Sequence, residues 1–252
     1  MKLRVLGCAG AEFPNFRPSA FLIDDSLMLD GGTIGSVLSE EEQWAIKYIF
    51  VTHAHLDHIR DIPLLADNIV IKQLHNNVKI AGIKEVLEAI SSHLLNNVIW
   101  PDFSKIPTIE SPIITYWQIE PEKEIQIDGY SITAIRVDHS VPAVGYLVRR
   151  NGKSILYTGD TGPTDRIWQW ADDLSALIVE VSFPNEMEEM ALLTRHLTSS
   201  LLAEELKKIK KLPPRILVTH PKPQYYAKIA AELRELGIAQ IELLKDGAVY
   251  DF

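Results

Sequence analysis

Thr52-His53-Ala54-His55-Leu56-Asp57-His58 gathers four metal-capable side chains, His53, His55, Asp57 and His58, into six residues directly after the apolar run 47–51. A helix would turn His53 and His55 to different faces, because residues two apart do not meet there. On an extended segment, residues i and i+2 point the same way. The cluster is therefore expected to leave the C-terminal end of a buried strand over 47–51, the edge where α/β proteins commonly build their sites. Neutral imidazoles suit zinc and similar borderline ions, and a carboxylate accommodates a second, harder ion or a bridge. One catalytic zinc takes about three protein ligands and keeps a position open. Three His and one Asp exceed that need, so the pattern predicts two divalent metal ions, zinc before manganese or iron(II).

Further ligands must come from elsewhere in the chain. His139, Asp160 and His220 each follow an apolar run, at 131–138, 154–158 and 215–219. Taken singly, each has an ordinary alternative in a loop or cap; Asp160, in Thr158-Gly159-Asp160-Thr161-Gly162-Pro163, could cap a helix over 163–170. Their shared position at strand ends favours a common site, since side-by-side strands bring such residues together.

Around these residues the pattern predicts strands at 2–7, 20–24 and 27–30, and a helix at 34–46. The stretch 67–118 is less regular and reads as an insertion carrying a helix at 83–95, with Ile83, Val86, Leu87, Ile90 and Leu94 at helical spacing. Strands resume at 113–118, 124–127, 130–137, 143–149 and 153–158, with hairpin turns at Asp128-Gly129 and Asn151-Gly152. Beyond 160, helices at 163–170, 198–211 and 224–236 alternate with strands at 175–181, 215–219 and 240–244. A hairpin-rich first half and a strand–helix second half predict two packed sheets with helices outside.

Composition sets the remaining bounds. With 252 residues, 46% hydrophobic and 23% charged, the chain can bury a core as one domain over 1–252 without disulfides. Its single Cys8 reads as a small buried hydrophobe. Strand-like residues follow Met1 without the apolar region of a signal peptide, and no uncharged run reaches the roughly 18 residues of a membrane span. The expectation is a soluble, cytoplasmic protein with no membrane partner. A net charge of −9 argues against a large nucleic acid as partner. A small anionic substrate stays compatible if metals supply the positive charge locally.

On these motifs the chain resembles the metallo-β-lactamase-fold hydrolases. The His-x-His-x-Asp-His signature is matched in full by His53, His55, Asp57 and His58, and the later ligand positions by His139 in Asp138-His139-Ser140, Asp160 in Gly159-Asp160-Thr161 and His220 in Thr219-His220. The resemblance covers nearly the whole chain. It implies an α/β (α+β) fold, a four-layer αβ/βα sandwich. It further implies that His53, His55 and His139 hold one metal, that Asp57, His58 and His220 hold the other, and that Asp160 bridges.

A bridging Asp resembles the phosphodiesterase branch, within which two subfamilies compete. Transfer-RNA 3′-processing nucleases share Gly159-Asp160-Thr161 and His196-Leu197-Thr198. Class-II cyclic-nucleotide phosphodiesterases resemble His55-Leu56-Asp57-His58-Ile59 and the segment His93-Leu94-Leu95-Asn96-Asn97-Val98-Ile99-Trp100-Pro101-Asp102, the more specific match. Asp61 departs from that second pattern, which usually carries Gly or another small residue there. Charge separates the two independently: residues 67–118 hold four Lys, no Arg and five Asp or Glu, a poor clamp for RNA phosphates.

The expected activity is thus hydrolysis of a 3′,5′-cyclic nucleotide, cAMP or cGMP, by a water activated between two metals. The resemblance makes His196 the proton donor to the leaving oxygen; Glu180, after the strand residues 175–179, is a candidate to orient it as a carboxylate orients an imidazole, and Asp57 completes the candidate catalytic set. Asn97 and Trp100 are candidate contacts to the base, although Trp100 also suits core packing. The apolar segment 93–103 could cover its own site or a neighbour's in a homodimer. Alternatives are a transfer-RNA 3′-processing-like nuclease, a thioester or lactone hydrolase, and a non-catalytic metal-binding protein of the same fold.

Overall fold

The computed structural model describes residues 1–74 and 76–252. Its first sheet runs through β1 (Lys2–Gly7), β2 (Ala20–Ile23), β3 (Leu27–Leu29), β4 (Tyr48–Phe50), β5 (Val78–Gly82) and β6 (Ile114–Gln118) in that order. The first three are antiparallel neighbours and β3 to β6 are parallel, with Met28 opposite Ile49 and Ile49 opposite Ile80. The second sheet comprises β7 (Glu124–Ile127), β8 (Tyr130–Arg136), β9 (Val144–Arg150), β10 (Lys153–Tyr157), β11 (Ala176–Glu180), β12 (Ile216–Thr219) and β13 (Ile241–Leu243), also in chain order. Strand β14 (Val249–Asp251) returns to pair with β1.

Strands buried on both faces read as continuous apolar runs because each face has its own core to fill. In β11, Ala176 and Ile178 face the core between the sheets, whereas Leu177 and Val179 join a second core. In β12, Leu217 faces the first, and Ile216 and Val218 the second. Helices α6 (Ser199–Leu206) and α7 (Tyr226–Glu235) cover that second core with Leu202, Leu206, Ile229 and Leu233. On the far side, α3 (Ile62–Ile71) and α4 (Lys84–Ala89) pack Leu65, Ile69, Val86 and Leu87 against the first sheet. The order is helix, sheet, sheet, helix, the expected four-layer sandwich. Edge-to-face pairs of Phe21 with Tyr157, at 5.0 Å, and Phe50 with Tyr146, at 5.5 Å, lock the two sheets together. Each pair contributes about 0.5–1.5 kcal/mol beyond its burial.

Several expected elements are redrawn. The helix expected at 34–46 shrinks to α1 (Glu40–Trp44), because Ser39 opens it with a capping box and Asp61 holds the loop before it, accepting from Ile34 N at 2.6 Å and Gly35 N at 3.2 Å. The helix expected at 163–170 is a single 3₁₀ turn, Trp168–Trp170. Buried Glu205 from α6 holds this segment irregular, accepting from Thr164 N at 3.0 Å and Trp168 Nε1 at 2.6 Å. The stretch 67–118 is not one insertion. Its strands β5 and β6 belong to the first sheet, so what leaves the sheet is 83–113. There α4 passes into a π-helical turn, Ile90–Leu94. Helix α3, strands β5 and β14, and α5 (Glu188–Thr194) were not expected.

Candidate metal centre

The C-terminal ends of β3, β4, β8, β10, β11 and β12 share one edge of the sandwich, and the polar residues that follow them converge there. After β4 the chain bends at Thr52, is extended at His55 (φ −68°, ψ 146°) and then enters one helical turn, α2 (Leu56–Ile59), which carries Asp57 and His58. His53, His55, His139 and Asp160 place one ligand atom each within 4.8 Å of one another. Asp57, His58 and His220 do the same, and Asp160, His196 and His220 form a third such group. Asp160 Oδ2 lies 3.6 Å from His53 Nε2 and 3.3 Å from His220 Nε2, and its Oδ1 3.3 Å from His58 Nε2. This carboxylate therefore joins the first group to the second.

Partners behind the rings decide which nitrogen faces inward. His58 Nδ1 lies 2.7 Å from Asp30 Oδ2, His139 Nδ1 3.1 Å from Arg195 O, and His220 Nδ1 2.9 Å from Ser182 Oγ. Thr52 Oγ1 gives its proton to Asp30 and lies 3.0 Å from His53 Nδ1. Each of these four rings thereby turns Nε2 to the centre, whereas His55 turns Nδ1, 3.2 Å from His139 Nε2. Outer partners of this kind fix ring orientation and tautomer in metal sites.

The backbone is shaped to the same end. His220 adopts a left-handed conformation (φ 67°), held by its N–H donating to Cys8 O at 2.7 Å; such a conformation costs a non-glycine residue about 1–3 kcal/mol. Gly10 passes so close that a Cβ there would lie 2.7 Å from His220 Nδ1.

Electrostatics favours the ligand forms for most of the groups. Burial holds the His53 and His139 imidazoles below their ordinary pKa, hence neutral. Burial opposes the charge on Asp160, but His220 and His58 outweigh it and keep the carboxyl well below the usual carboxylate range. Burial likewise opposes a charged His58, yet Asp160 and Asp30 raise its pKa, so metal binding there would displace a proton. Among the described residues, His53 Nε2 and Asp160 Oδ1 are buried without a hydrogen-bond partner. Buried polar atoms are normally paired, and two such orphans aimed into a ring of imidazole and carboxylate donors fit divalent cations.

Beside this cluster His196 Nδ1 lies 2.6 Å from Glu180 Oε1. Thr161 N donates to the same oxygen at 3.0 Å, and Ser182 Oγ donates to Oε2 at 2.9 Å. The mouth is a cavity of ≈ 390 Å³ lined by His55, Asp57, Ser140, Leu193, His196 and Lys222 among others. Asn97 and Trp100 do not line it. Asn97 Oδ1 accepts from Asp102 N at 2.9 Å within its own loop, and Trp100 packs against the main core. The core packing that the sequence also allowed for Trp100 is the placement found.

Sequence reading also missed Asp30. It is fully buried (0% exposed) after β3 and accepts from Thr52 N at 2.8 Å, Tyr157 Oη at 2.8 Å and His58. The same strand-end rule that selected Asp160 could have found it, but Asp30-Gly31-Gly32 reads as a turn. Ser182 and Lys222 gave no motif at all. Asp61, the departure from the class-II pattern, is a buried structural acid that pins the 34–35 loop.

Two facing sheets with clustered His and Asp side chains along their shared edge define a metallo-β-lactamase type of fold. The chain belongs to the β-lactamase superfamily, whose domain profile matches residues 36–220. A probable 3′,5′-cyclic-nucleotide phosphodiesterase of Yersinia pestis is 23% identical over 228 residues, 79% of this chain and 63% of that protein. A ribonuclease Z of Pyrobaculum calidifontis is 24% identical over 264 residues, 89% of this chain and 88% of that protein. The unliganded crystal structure of yeast PDE1 shares the fold at a TM-score of 0.83 and 17% identity, over 98% of each chain. Among the described residues no helix is long and apolar enough to cross a membrane.

Proposed function

We propose that the chain is a dinuclear metal-dependent phosphodiesterase acting on a 3′,5′-cyclic nucleotide. The observation that carries this reading is a proton-bearing pair, Glu180 and His196, set beside two ligand groups at the floor of a cavity of ≈ 390 Å³. That size falls in the range of small-molecule sites, about 300–1,000 Å³. His53, His55 and His139 would hold one metal, Asp57, His58 and His220 the other, and Asp160 would touch both. When bound, two such ions supply Lewis acidity toward phosphate oxygens and lower the pKa of water.

The side chains supply the rest. Among the described residues lining the cavity, Lys222 is the sole ammonium, steadied by donating to Gly10 O at 2.6 Å, and it offers charge to a phosphate oxygen. Burial opposes a proton on His196, but Glu180 outweighs it and raises the pKa, so the imidazole keeps a proton for the departing ribose 3′-oxygen. Glu180 orients the ring through Nδ1.

A ribonuclease Z-like reading has the archaeal relative in its favour. Against it stand the net charge of −9 and a mouth with one Lys, a weak footing for a long polyanion. Zinc- or manganese-loaded protein should open cyclic AMP or cyclic GMP and leave precursor transfer RNA and an acyl thioester intact. Cleavage of the RNA with the cyclic nucleotides untouched would overturn the substrate assignment, and no turnover of bis(p-nitrophenyl) phosphate would overturn the enzyme class.

A further inference from the structure

One carboxylate serves two histidines of different function. Glu180, at the end of β11, meets His196 Nδ1 through Oε1 at 2.6 Å and Ser182 Oγ through Oε2 at 2.9 Å. Ser182 Oγ in turn lies 2.9 Å from His220 Nδ1, 3.1 Å from His196 Nδ1 and 3.3 Å from His220 O. The other nitrogen of His220, Nε2, faces the cluster, 3.2 Å from Asp57 Oδ2 and 3.3 Å from Asp160 Oδ2.

Proton counting gives these contacts a direction. A hydroxyl has one proton to donate and two lone pairs, and a carboxylate only accepts. Ser182 Oγ stands 2.9 Å from a carboxylate oxygen that cannot donate, so the Ser182 proton goes to Glu180; sent to His220 or His196 instead, it would leave two lone pairs facing each other across that contact. A Ser182 lone pair is left to accept the Nδ1–H of His220, which is the tautomer that leaves Nε2 free to bind a cation. His196 Nδ1–H takes the other oxygen of the same carboxylate. All four residues are buried, Glu180 and Ser182 completely.

We propose that Ser182 is a positioning residue that fixes His220 as an Nε2 ligand and joins it to the carboxylate orienting His196. Metal binding and proton donation then share one anchor, Glu180. The proposal rests on the reading of His220 as a metal ligand. Without Oγ the His220 Nδ1–H is buried and unpaired, and the ring is free to take the tautomer whose Nε2 carries the proton and binds no metal. The surrounding backbone does not need the hydroxyl: Ser182 N donates to Leu197 O at 3.0 Å, and Ser182 O accepts from Lys222 N at 3.1 Å. Ser182→Ala is thus a chemical lesion more than a structural one.

Zinc affinity, measured by competition with a chromophoric chelator, tests this without reference to turnover. Ser182→Ala should weaken one of two zinc equivalents by about 10–100-fold, the usual effect of losing an outer partner, and leave the other as in wild type. Nitrogen-15 NMR of the zinc-loaded wild-type protein needs no variant: it should show His220 protonated at Nδ1, with slow solvent exchange. Wild-type uptake of two zinc ions with unaltered affinities in Ser182→Ala overturns the proposal alone, as does an unprotonated His220 Nδ1. A wild-type chain that takes up no zinc overturns the metal reading and the proposal with it.

Discussion

Asp30 shows how much of the site lies behind its ligands. Four donor groups end on its carboxylate: Thr52 N, Thr52 Oγ1, Tyr157 Oη and His58 Nδ1. Asp30→Ala strands them in a dry core, and each buried unpaired group costs about 1–3 kcal/mol. With partial relaxation, urea unfolding should show a loss of about 3–5 kcal/mol; a loss below 1 kcal/mol would mean that the network carries little. His196→Ala should behave differently. Its ring serves a proton and not a cation in the proposed reading, so zinc content should stay unchanged while turnover of cyclic AMP falls about 10²–10⁴-fold. A p-nitrophenolate leaving group needs no proton, and its release should be largely spared. Equal losses on both substrates would remove His196 from the donor role. The candidate ligands were legible because His and Asp cluster over 53–58 at a spacing that suits a metal. The sequence hid Asp30 and Ser182, whose partners stand anywhere from 2 to 127 positions away and obey no spacing rule.

Among the elements, the turn between β2 and β3 does more than reverse the chain. Asp24, left-handed at φ 44°, reaches across from the first sheet to the second, accepting from Arg150 Nη1 at 2.7 Å on β9 and Tyr130 Oη at 2.7 Å on β8, and also from Lys2 N at 2.7 Å. Burial opposes its charge, but these donors outweigh it and lower its pKa. A lowered folded-state pKa stabilises above the ordinary carboxylate value of about 3.9 and is lost as pH falls through the depressed value. Wild type should therefore exceed Asp24→Asn by about 1–2 kcal/mol at pH 7, with the gap closing below about pH 4. A gap that widens on acidification would exclude the clasp. Strands were legible here because each face of a doubly covered sheet demands apolar residues, as in 176–180 and 216–219. Helix 163–170 was misread because the hydrogen bonds that decide it come from Glu205, and β5 because a strand of five residues between loops has no period to separate it from them.

At the scale of the molecule, the candidate site is also a joint. His53, His55, Asp57 and His58 follow β4 of the first sheet, while His139, Asp160 and His220 follow β8, β10 and β12 of the second. Cations held between the two sets would connect sheets that otherwise meet through apolar contacts and bonds such as Val144 N to Thr52 O at 3.0 Å. They would also pair the buried orphans His53 Nε2 and Asp160 Oδ1. The unfolded chain has no such convergence, so binding energy becomes folding energy. At a free-metal concentration 100 times Kd the gain is about 2.7 kcal/mol for one site. In a chain of 252 residues about 2–4 °C accompanies each kcal/mol. Stripping with a chelator should therefore lower Tm by roughly 5–10 °C, and zinc or manganese in excess should restore it, whereas magnesium, which favours oxygen ligands, should not. Calorimetry of stripped and reloaded protein decides the matter: an unchanged Tm would mean that the two sheets hold the same geometry without any cation, and that the seven residues are not a shared metal joint.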